Sequence, residues 1–309
     1  MGDVVRIVRN EKLSWQELLM QFLTFKRADG RAPRTLKDYQ EHISFFYRSC
    51  PDAWENPRPA VMAYLSRYEN PSTYNLRLAY LKVWFDWLMA EGLLPGERHP
   101  LMGLKKRKAQ GRVVDISSST LKALLDVPDV TTYAGLRDRA LILLQMDCGV
   151  RPGEALNLME TDIDMASLVV HIPAHASKTR ERRSMPFSAT TADALQKLLR
   201  VRPEEWKGSP VFCSCSGEHM YPSSWNHRIK GYGEKIGAEI TPYMLRHCFA
   251  LSFLRNGGNV FSLQKMLGHS TLAMTQKYLA LSMEDLQKAH ANASPVNALI
   301  PKKKKLGKV

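Results

Sequence analysis

Residues 135–154 read GLRDRALILLQMDCGVRPGE. Leu136, Ala140, Leu143, Leu144 and Met146 recur at the spacing of a helix with a buried stripe, so a helix is predicted from Gly135 to Cys148. Gly149 stands where helices often end on a left-handed residue. Arg151 then falls in a tight turn past a buried helix end, ahead of a short helix from Glu154 to Leu158. That turn is a rigid mount for a guanidinium, and the strength of the helix signal marks a mainly α chain.

Upstream, residues 1–13 form a loose lead-in, and Ser14-Trp15-Gln16-Glu17 is a capping box. The helix after it carries Trp15, Leu18, Leu19, Phe22 and Leu23 on one stripe, and Gly30 and Pro33 break it. Thr35 is positioned to cap a second helix with Leu36, Tyr39, Ile43 and Phe46 inward. Pro51 and Pro57 mark the next break. Pro59 opens a short third helix (Val61, Met62, Leu65) that ends at Asn70-Pro71-Ser72. A long fourth helix, from Thr73 to Glu91, places Leu76, Tyr80, Val83, Trp84, Trp87 and Leu88 inward, and Gly92 stops it. This is a small all-α domain, residues 1–104. On its polar faces stand Arg34, Lys37, Arg77 and Lys82, which in an ordinary helix are a solvated face and in a DNA-binding one are phosphate contacts. Residues 105–112 read KKRKAQGR. The shift in composition puts a basic linker at 105–114, with Lys105, Lys106, Arg107 and Lys108 suited to a phosphate backbone. A nuclear-localisation patch is a formal match to the same run, and a plain exposed linker accounts for it equally.

Downstream, a second domain spans 115–295. Ser117-Ser118-Ser119 precede a helix with Leu121, Leu124 and Leu125. Leu168 to Pro173 and Arg183 to Phe187 read as two strands of a hairpin with Lys178 near its polar tip. Helices follow from Thr191 to Arg200 and from Trp225 to Ile236, with a brief strand or loop edge at Pro210 to Cys213 between them. Then come Thr241-Pro242-Tyr243-Met244-Leu245-Arg246-His247 and Leu267-Gly268-His269-Ser270-Thr271. A helix over 272–277 puts Tyr278 near its end, and a last helix runs from Met283 to Ala293. Residues 296–309 are a basic, disordered tail.

The 309 residues carry 44 Lys and Arg against 30 Asp and Glu, a net charge of 44 − 30 = +14. Such an excess favours a polyanionic partner, nucleic acid first. No apolar run reaches the ~18 residues of a membrane span, and the charged N-terminus lacks the apolar core of a signal peptide. Five cysteines, an odd number, fit a reducing cytoplasm better than a disulfide scaffold. Cys213, Cys215 and His219 lack a convincing fourth zinc ligand, and Gly231-Tyr232-Gly233 has no strand before it as a dinucleotide loop needs. Neither a metal nor a cofactor is called for.

Arg151, Arg246, His269 and Tyr278 make a set able to hold a phosphodiester and attack it without a metal. Each alone reads equally as a cap or a core residue; their order along the chain carries the weight. The arrangement resembles the tyrosine recombinase or phage integrase family, which includes Xer recombinases and transposon integrases. Cys148-Gly149-Val150-Arg151-Pro152-Gly153-Glu154-Ala155-Leu156 is similar to the family's first arginine box. Thr241 to His247 is similar to its His-x-x-Arg box, and Leu267-Gly268-His269 with Tyr278 to its last histidine and nucleophile. The resemblance implies a four-helix, SAM-like core-binding domain, a basic linker and an α-rich catalytic domain with a small β-hairpin. It also implies Lys178 as the hairpin lysine and Glu154 as a supporting residue. One position departs: Tyr243 stands where the family keeps histidine, and a phenol of ordinary pKa about 10 is a poor base near neutrality.

The chemistry suits these residue types. Planar arginine forks bind non-bridging phosphate oxygens better than lysine does, and His269 adds a donor. Tyr278 supplies covalent catalysis, and Lys178 serves as acid for the departing 5′ oxygen. The resemblance further implies double-stranded DNA with inverted-repeat core sites as partner, a homotetramer on DNA working through a Holliday junction, and integration or excision of a mobile element or resolution of replicons. Two rivals are a non-catalytic DNA-binding relative, with Tyr243 as a first sign of decay, and a type IB topoisomerase-like enzyme.

Overall fold

The computed structural model describes residues 13–94, 98–109, 116–177, 181–276, 278, 279, 290 and 296. The chain divides into two units, residues 1–110 and 111–309.

The described residues of the first unit form four α-helices, α1 (Trp15–Ala28), α2 (Pro33–Ser49), α3 (Pro57–Ser66) and α4 (Pro71–Ala90). The capping box at the start of α1 is formed: Glu17 accepts the Ser14 N–H at 2.8 Å and returns its own N–H to the Ser14 hydroxyl at 3.3 Å. Pro33, Pro57 and Pro71 each sit in the first turn of a helix, where the missing N–H costs nothing. Three expected boundaries therefore move. Pro33 opens α2, with Ala32 and not Thr35 at its N-cap. Pro57 opens α3 instead of marking a break, and Asn70 caps α4 instead of closing α3, its Oδ1 taking the Ser72 and Thr73 N–H groups at 2.9 and 3.2 Å. The core is aromatic. Phe22 meets Trp84 edge-on at 5.4 Å, and the buried Trp84 indole N–H donates to the Tyr47 hydroxyl at 3.0 Å. α4 buries Tyr74, Leu78, Leu81, Trp84, Phe85, Trp87 and Leu88, while Leu76, expected inward, is exposed. A helix apolar on nearly every side leaves its inward face undetermined by period alone.

The second unit is built on α6 (Tyr133–Cys148), preceded by α5 (Ser118–Asp126). Leu141, Ile142, Leu144 and Cys148 of α6 are fully buried, and α8 (Ala189–Arg200) packs against it. Leu136 and Met146, expected on the buried stripe, are partly buried and pack against this core. Polar groups on α6 are also buried, and several bond to neighbouring elements, although the Gln145 amide nitrogen is left without a partner. Asp138 accepts from Arg137 at 2.7 Å and from the Tyr232 hydroxyl at 2.6 Å, while Gln145 accepts the Trp225 indole N–H at 2.8 Å. Tyr232 and Trp225 belong to α9 (Pro222–Lys235), so these bonds fix α9 across α6.

Between α7 (Pro152–Ala155) and α8 lies an antiparallel sheet of β1 (Ile163–Asp164), β2 (Val169–Ile172) and β3 (Arg183–Pro186), in that order. β1 is too short to show an alternation in sequence. The Pro210 to Cys213 stretch is a turn, with the Val211 N–H on the Leu158 carbonyl at 2.7 Å. Beyond α9 come α10 (Pro242–Arg255), which also packs on α6, α11 (Val260–Leu267) and α12 (Ala273–Gln276). The expected helix from Met283 to Ala293 and the 296–309 tail fall almost wholly outside the described residues. Among the described residues no helix is long and apolar enough to cross a membrane.

Candidate active site

α6 ends on Gly149 in the left-handed region, φ +64°. A Cβ there would stand 2.3 Å from the Phe249 ring, so glycine is required by space as well as by conformation. The next turn delivers Arg151 as the residue that opens α7. Glu154, one turn on, takes the Arg151 backbone N–H at 3.2 Å and its guanidinium at 2.9 Å. Arg183, opposite Ile172 at the start of β3, reaches the same carboxylate with both terminal nitrogens, one at 3.1 Å to Oε1 and the other to Oε2. Arg246, on α10, donates to the Gly149 carbonyl at 2.7 Å.

All three arginines also converge on the end of α11. Arg183 donates to the Met266 carbonyl at 3.0 Å, Arg246 to the Leu267 carbonyl at 2.7 Å and Arg151 to the Gly268 carbonyl at 3.0 Å. The last carbonyls of a helix lack internal partners and carry its negative pole, and here three consecutive ones each take a cation. Gly268 makes the turn possible with φ +60°.

Among the described residues, three guanidinium groups face a single carboxylate in this nearly buried cluster, +3 against −1, an excess of +2. The imbalance registers on Arg246, whose pKa is pulled down to about 9 by burial and then by the Arg151 charge, against Glu154. Burial acts on Glu154 in the opposite sense, yet hydrogen bonding and charge from Arg183, then Arg151, hold its carboxyl below the ordinary value. A buried cationic excess of this kind suits an anion such as a phosphate. A cleft of about 900 Å³ opens beside it, lined by Arg182, Arg183, Lys265, Gly268 and His269 among others.

His269 follows directly. Its Nε2 lies 3.2 Å from Arg246 Nη2, and its Nδ1 lies 2.9 Å from the Thr275 hydroxyl on α12. Arginine only donates, so Nε2 accepts, and the ring proton sits on Nδ1 facing Thr275. Tyr278 comes just after α12, buried among Phe249, Leu263 and Leu267. Its hydroxyl is 2.5 Å from His247 Nδ1. Burial raises its pKa, and the charges of Arg246 and Arg151 oppose that rise.

The structure thus brings Arg151, Glu154, Arg246, His269 and Tyr278 together. Tyr243 is on the first turn of α10 and 56% exposed. Lys178 lies outside the described residues. Two residues of the cluster were not singled out from sequence. Arg183 is hidden in the basic run 180–183, and only its strand register separates it from its neighbours. His247 follows Arg246 directly and shares its helix face with Tyr243, four residues earlier.

In the first unit, Arg34 pairs with Asp38 at 3.0 Å, Lys37 with Glu41 at 3.8 Å and Lys82 with Asp86 at 3.0 Å, all on the surface. Arg77 is engaged inward, donating to His42 at 2.5 Å and lying over the Phe45 ring at 5.0 Å. Arg107 stacks on Tyr74 at 3.8 Å, and its backbone exchanges two hydrogen bonds of 2.8 Å with Asn75. Lys105, Lys106 and Lys108 are exposed beside it.

Comparison with known proteins adds sequence relatives to this geometry. Residues 115–285 match the model of the phage integrase family. The chain is 31% identical over 286 residues to tyrosine recombinase XerD of Ralstonia nicotianae, covering 86% of this chain and 90% of the relative. It is 29% identical over 284 residues to tyrosine recombinase XerC of Myxococcus xanthus, covering 86% and 93%. Among solved structures it is similar in fold to the Tn1549 transposon integrase in complex with circular intermediate DNA, at 17% identity and TM-score 0.68, covering 89% of this chain and 98% of that one. A lambda integrase dimer bound to a COC' core site matches at 17% identity and TM-score 0.69, covering 85% and 97%.

Proposed function

The chain belongs to the phage integrase family of tyrosine recombinases, and on that premise we infer how its own groups carry out the reaction. It is a site-specific recombinase that breaks and rejoins DNA strands. Arg151 and Arg246, joined by Arg183, take the non-bridging oxygens of the scissile phosphate. Glu154 holds Arg151 and Arg183 in register, and His269 fixes the Arg246 fork. The Tyr278 oxygen bonds to phosphorus as the bond to the 5′ oxygen breaks. A 3′-phosphotyrosyl link and a free 5′ hydroxyl result, and Lys178 supplies the proton to the departing oxygen. The link conserves the phosphodiester energy, so rejoining needs no ATP. Positioning and charge carry the rate.

The observation that carries these roles is the buried excess of +2 beside a tyrosine whose pKa responds to Arg246 and Arg151. Residues 1–104 and the linker 105–114 grip duplex DNA, and 115–295 carry out cleavage. Four copies work on two inverted-repeat sites in the cytoplasm, for integration or excision of a mobile element or for resolution of replicons. The DNA-bound transposon and lambda integrases among the structural neighbours support the duplex as partner. A nicked duplex carrying the target site traps the intermediate. A covalent adduct on a denaturing gel, absent in Tyr278→Phe, is expected; an adduct that persists in the variant removes Tyr278 from its role.

A further inference from the structure

We propose that His247 receives the phenolic proton of Tyr278 as the tyrosine attacks. The proposal rests on the assignment of Tyr278 as nucleophile and concerns a step left open above. When the Tyr278 oxygen bonds to phosphorus its O–H bond must break. The electron pair of that bond stays on oxygen, and the proton needs an acceptor. A phenol ordinarily ionises at about 10 and an imidazole at about 6.5, so an imidazole in contact is the natural acceptor near neutrality.

His247 Nδ1 is 2.5 Å from the Tyr278 hydroxyl, and the two rings are 5.5 Å apart between centroids. The other histidine of the cluster is committed elsewhere. His269 Nε2 accepts from Arg246 and its Nδ1–H faces Thr275, so its ring is set to hold an arginine and a helix turn, not to take up a proton from Tyr278. Tyr243, where the family has a histidine, is a phenol and 56% exposed. His247 stands one turn further along the same face of α10. The imidazole missing from position 243 is therefore present one turn on, against the nucleophile itself. Each chemical event then has its own group: the arginines on the non-bridging oxygens, Lys178 on the leaving oxygen, His247 on the attacking one.

His247→Asn leaves an oxygen near the place of Nδ1 that accepts a hydrogen bond but takes up no proton. The probe is a suicide duplex built on the sequence that the full chain selects from a random duplex library. On it, adduct formation at pH 7 is expected to fall about 100-fold or more, with duplex affinity and thermal midpoint near wild type. Wild-type cleavage at that rate in His247→Asn overturns the proposal, since a purely positioning contact survives the substitution. A duplex with sulfur in place of the 5′ bridging oxygen needs no proton donor on its leaving group, so the deficit is expected to persist there. Rescue by sulfur moves His247 to the leaving-group side and also overturns the proposal.

The wild-type pH profile still tests the proposal if the variant fails to bind. Among the described residues, the charged and titratable groups around the pair are Arg246 and Cys248 on α10, Arg151 and Glu154 at α7, Arg183 on β3 and His269 after α11. Of these, only an imidazole ordinarily titrates near neutrality. The rate is expected to rise with pH through the imidazole range and then level, and a flat profile from pH 5 to about 8 overturns the proposal. No adduct from the wild-type chain strikes the assignment of Tyr278 instead.

Discussion

Arg183 closes on Glu154 through both terminal nitrogens, from a strand 29 residues further along the chain. This ion pair ties the small sheet to the turn that carries Arg151, since Glu154 holds both cations. Arg183→Ala leaves a buried carboxylate with one partner fewer and the anion site with one cation fewer. The expected cost is about 3 kcal/mol in stability, the low end for breaking a buried pair, with adduct formation down about 100-fold. Arg183→Lys keeps the charge but not the fork, and is expected to recover stability more than rate. Thermal unfolding and single-turnover cleavage separate the two.

Glu154 gives the site an acid limit. Its folded pKa lies below the ordinary 4.5, because Arg183 and Arg151 outweigh the effect of burial. The unfolded chain therefore binds this proton first on acidification. The stabilisation is complete above the unfolded pKa and is lost as pH falls through the folded one. Urea titrations between pH 6 and 3 are expected to show a flatter acid limb in Glu154→Gln than in wild type. Parallel limbs would sink the idea.

Thr275 sets the His269 tautomer through its hydroxyl at 2.9 Å. Thr275→Val keeps the shape and removes the acceptor, orphaning a buried N–H at a cost of about 1–2 kcal/mol. Nitrogen NMR of the ring is expected to show Nδ1 protonated in wild type and a mixture of tautomers in the variant. Thr275→Ser restores the wild-type pattern.

The exposed lysines Lys105, Lys106 and Lys108 flank an arginine that is pinned by Tyr74 and Asn75. If all three meet phosphates, changing them to alanine lowers the slope of log affinity against log salt by about 2.7, at 0.9 per contact. An unchanged slope in a filter-binding titration takes the linker off the DNA. Arg107→Ala is expected to loosen the linker in addition, because its stacking and hydrogen bonds are intramolecular.

The parts of this molecule legible in sequence are those fixed by local rules. The Ser14–Glu17 capping box, Gly149 beyond α6 and the apolar run of α6 are each determined within about one or two helical turns. Helix starts were harder where proline carries two meanings, as at Pro57 and Pro71, since the same residue that breaks one helix opens the next. Arg151, Arg246, His269 and Tyr278 came from motif order. Arg183 and His247 did not, because their meaning lies in contacts 29 and 31 residues away along the chain. A basic run gives no hint which of its members turns inward. Nor does a histidine beside an arginine reveal that a tyrosine folds back against it.

The register of α11 is dictated by chemistry. Met266, Leu267 and Gly268 each offer a carbonyl to a different arginine, drawn from β3, α10 and the α6–α7 turn. Adding or removing one residue within α11 turns its last carbonyls by about 100°, and all three swing away from their cations together. Natural variation in α11 is therefore expected in composition and not in length. Any attempt to graft this nucleophile segment onto another scaffold must carry the three cation-bearing elements with it, because the keel they share is a single turn of backbone.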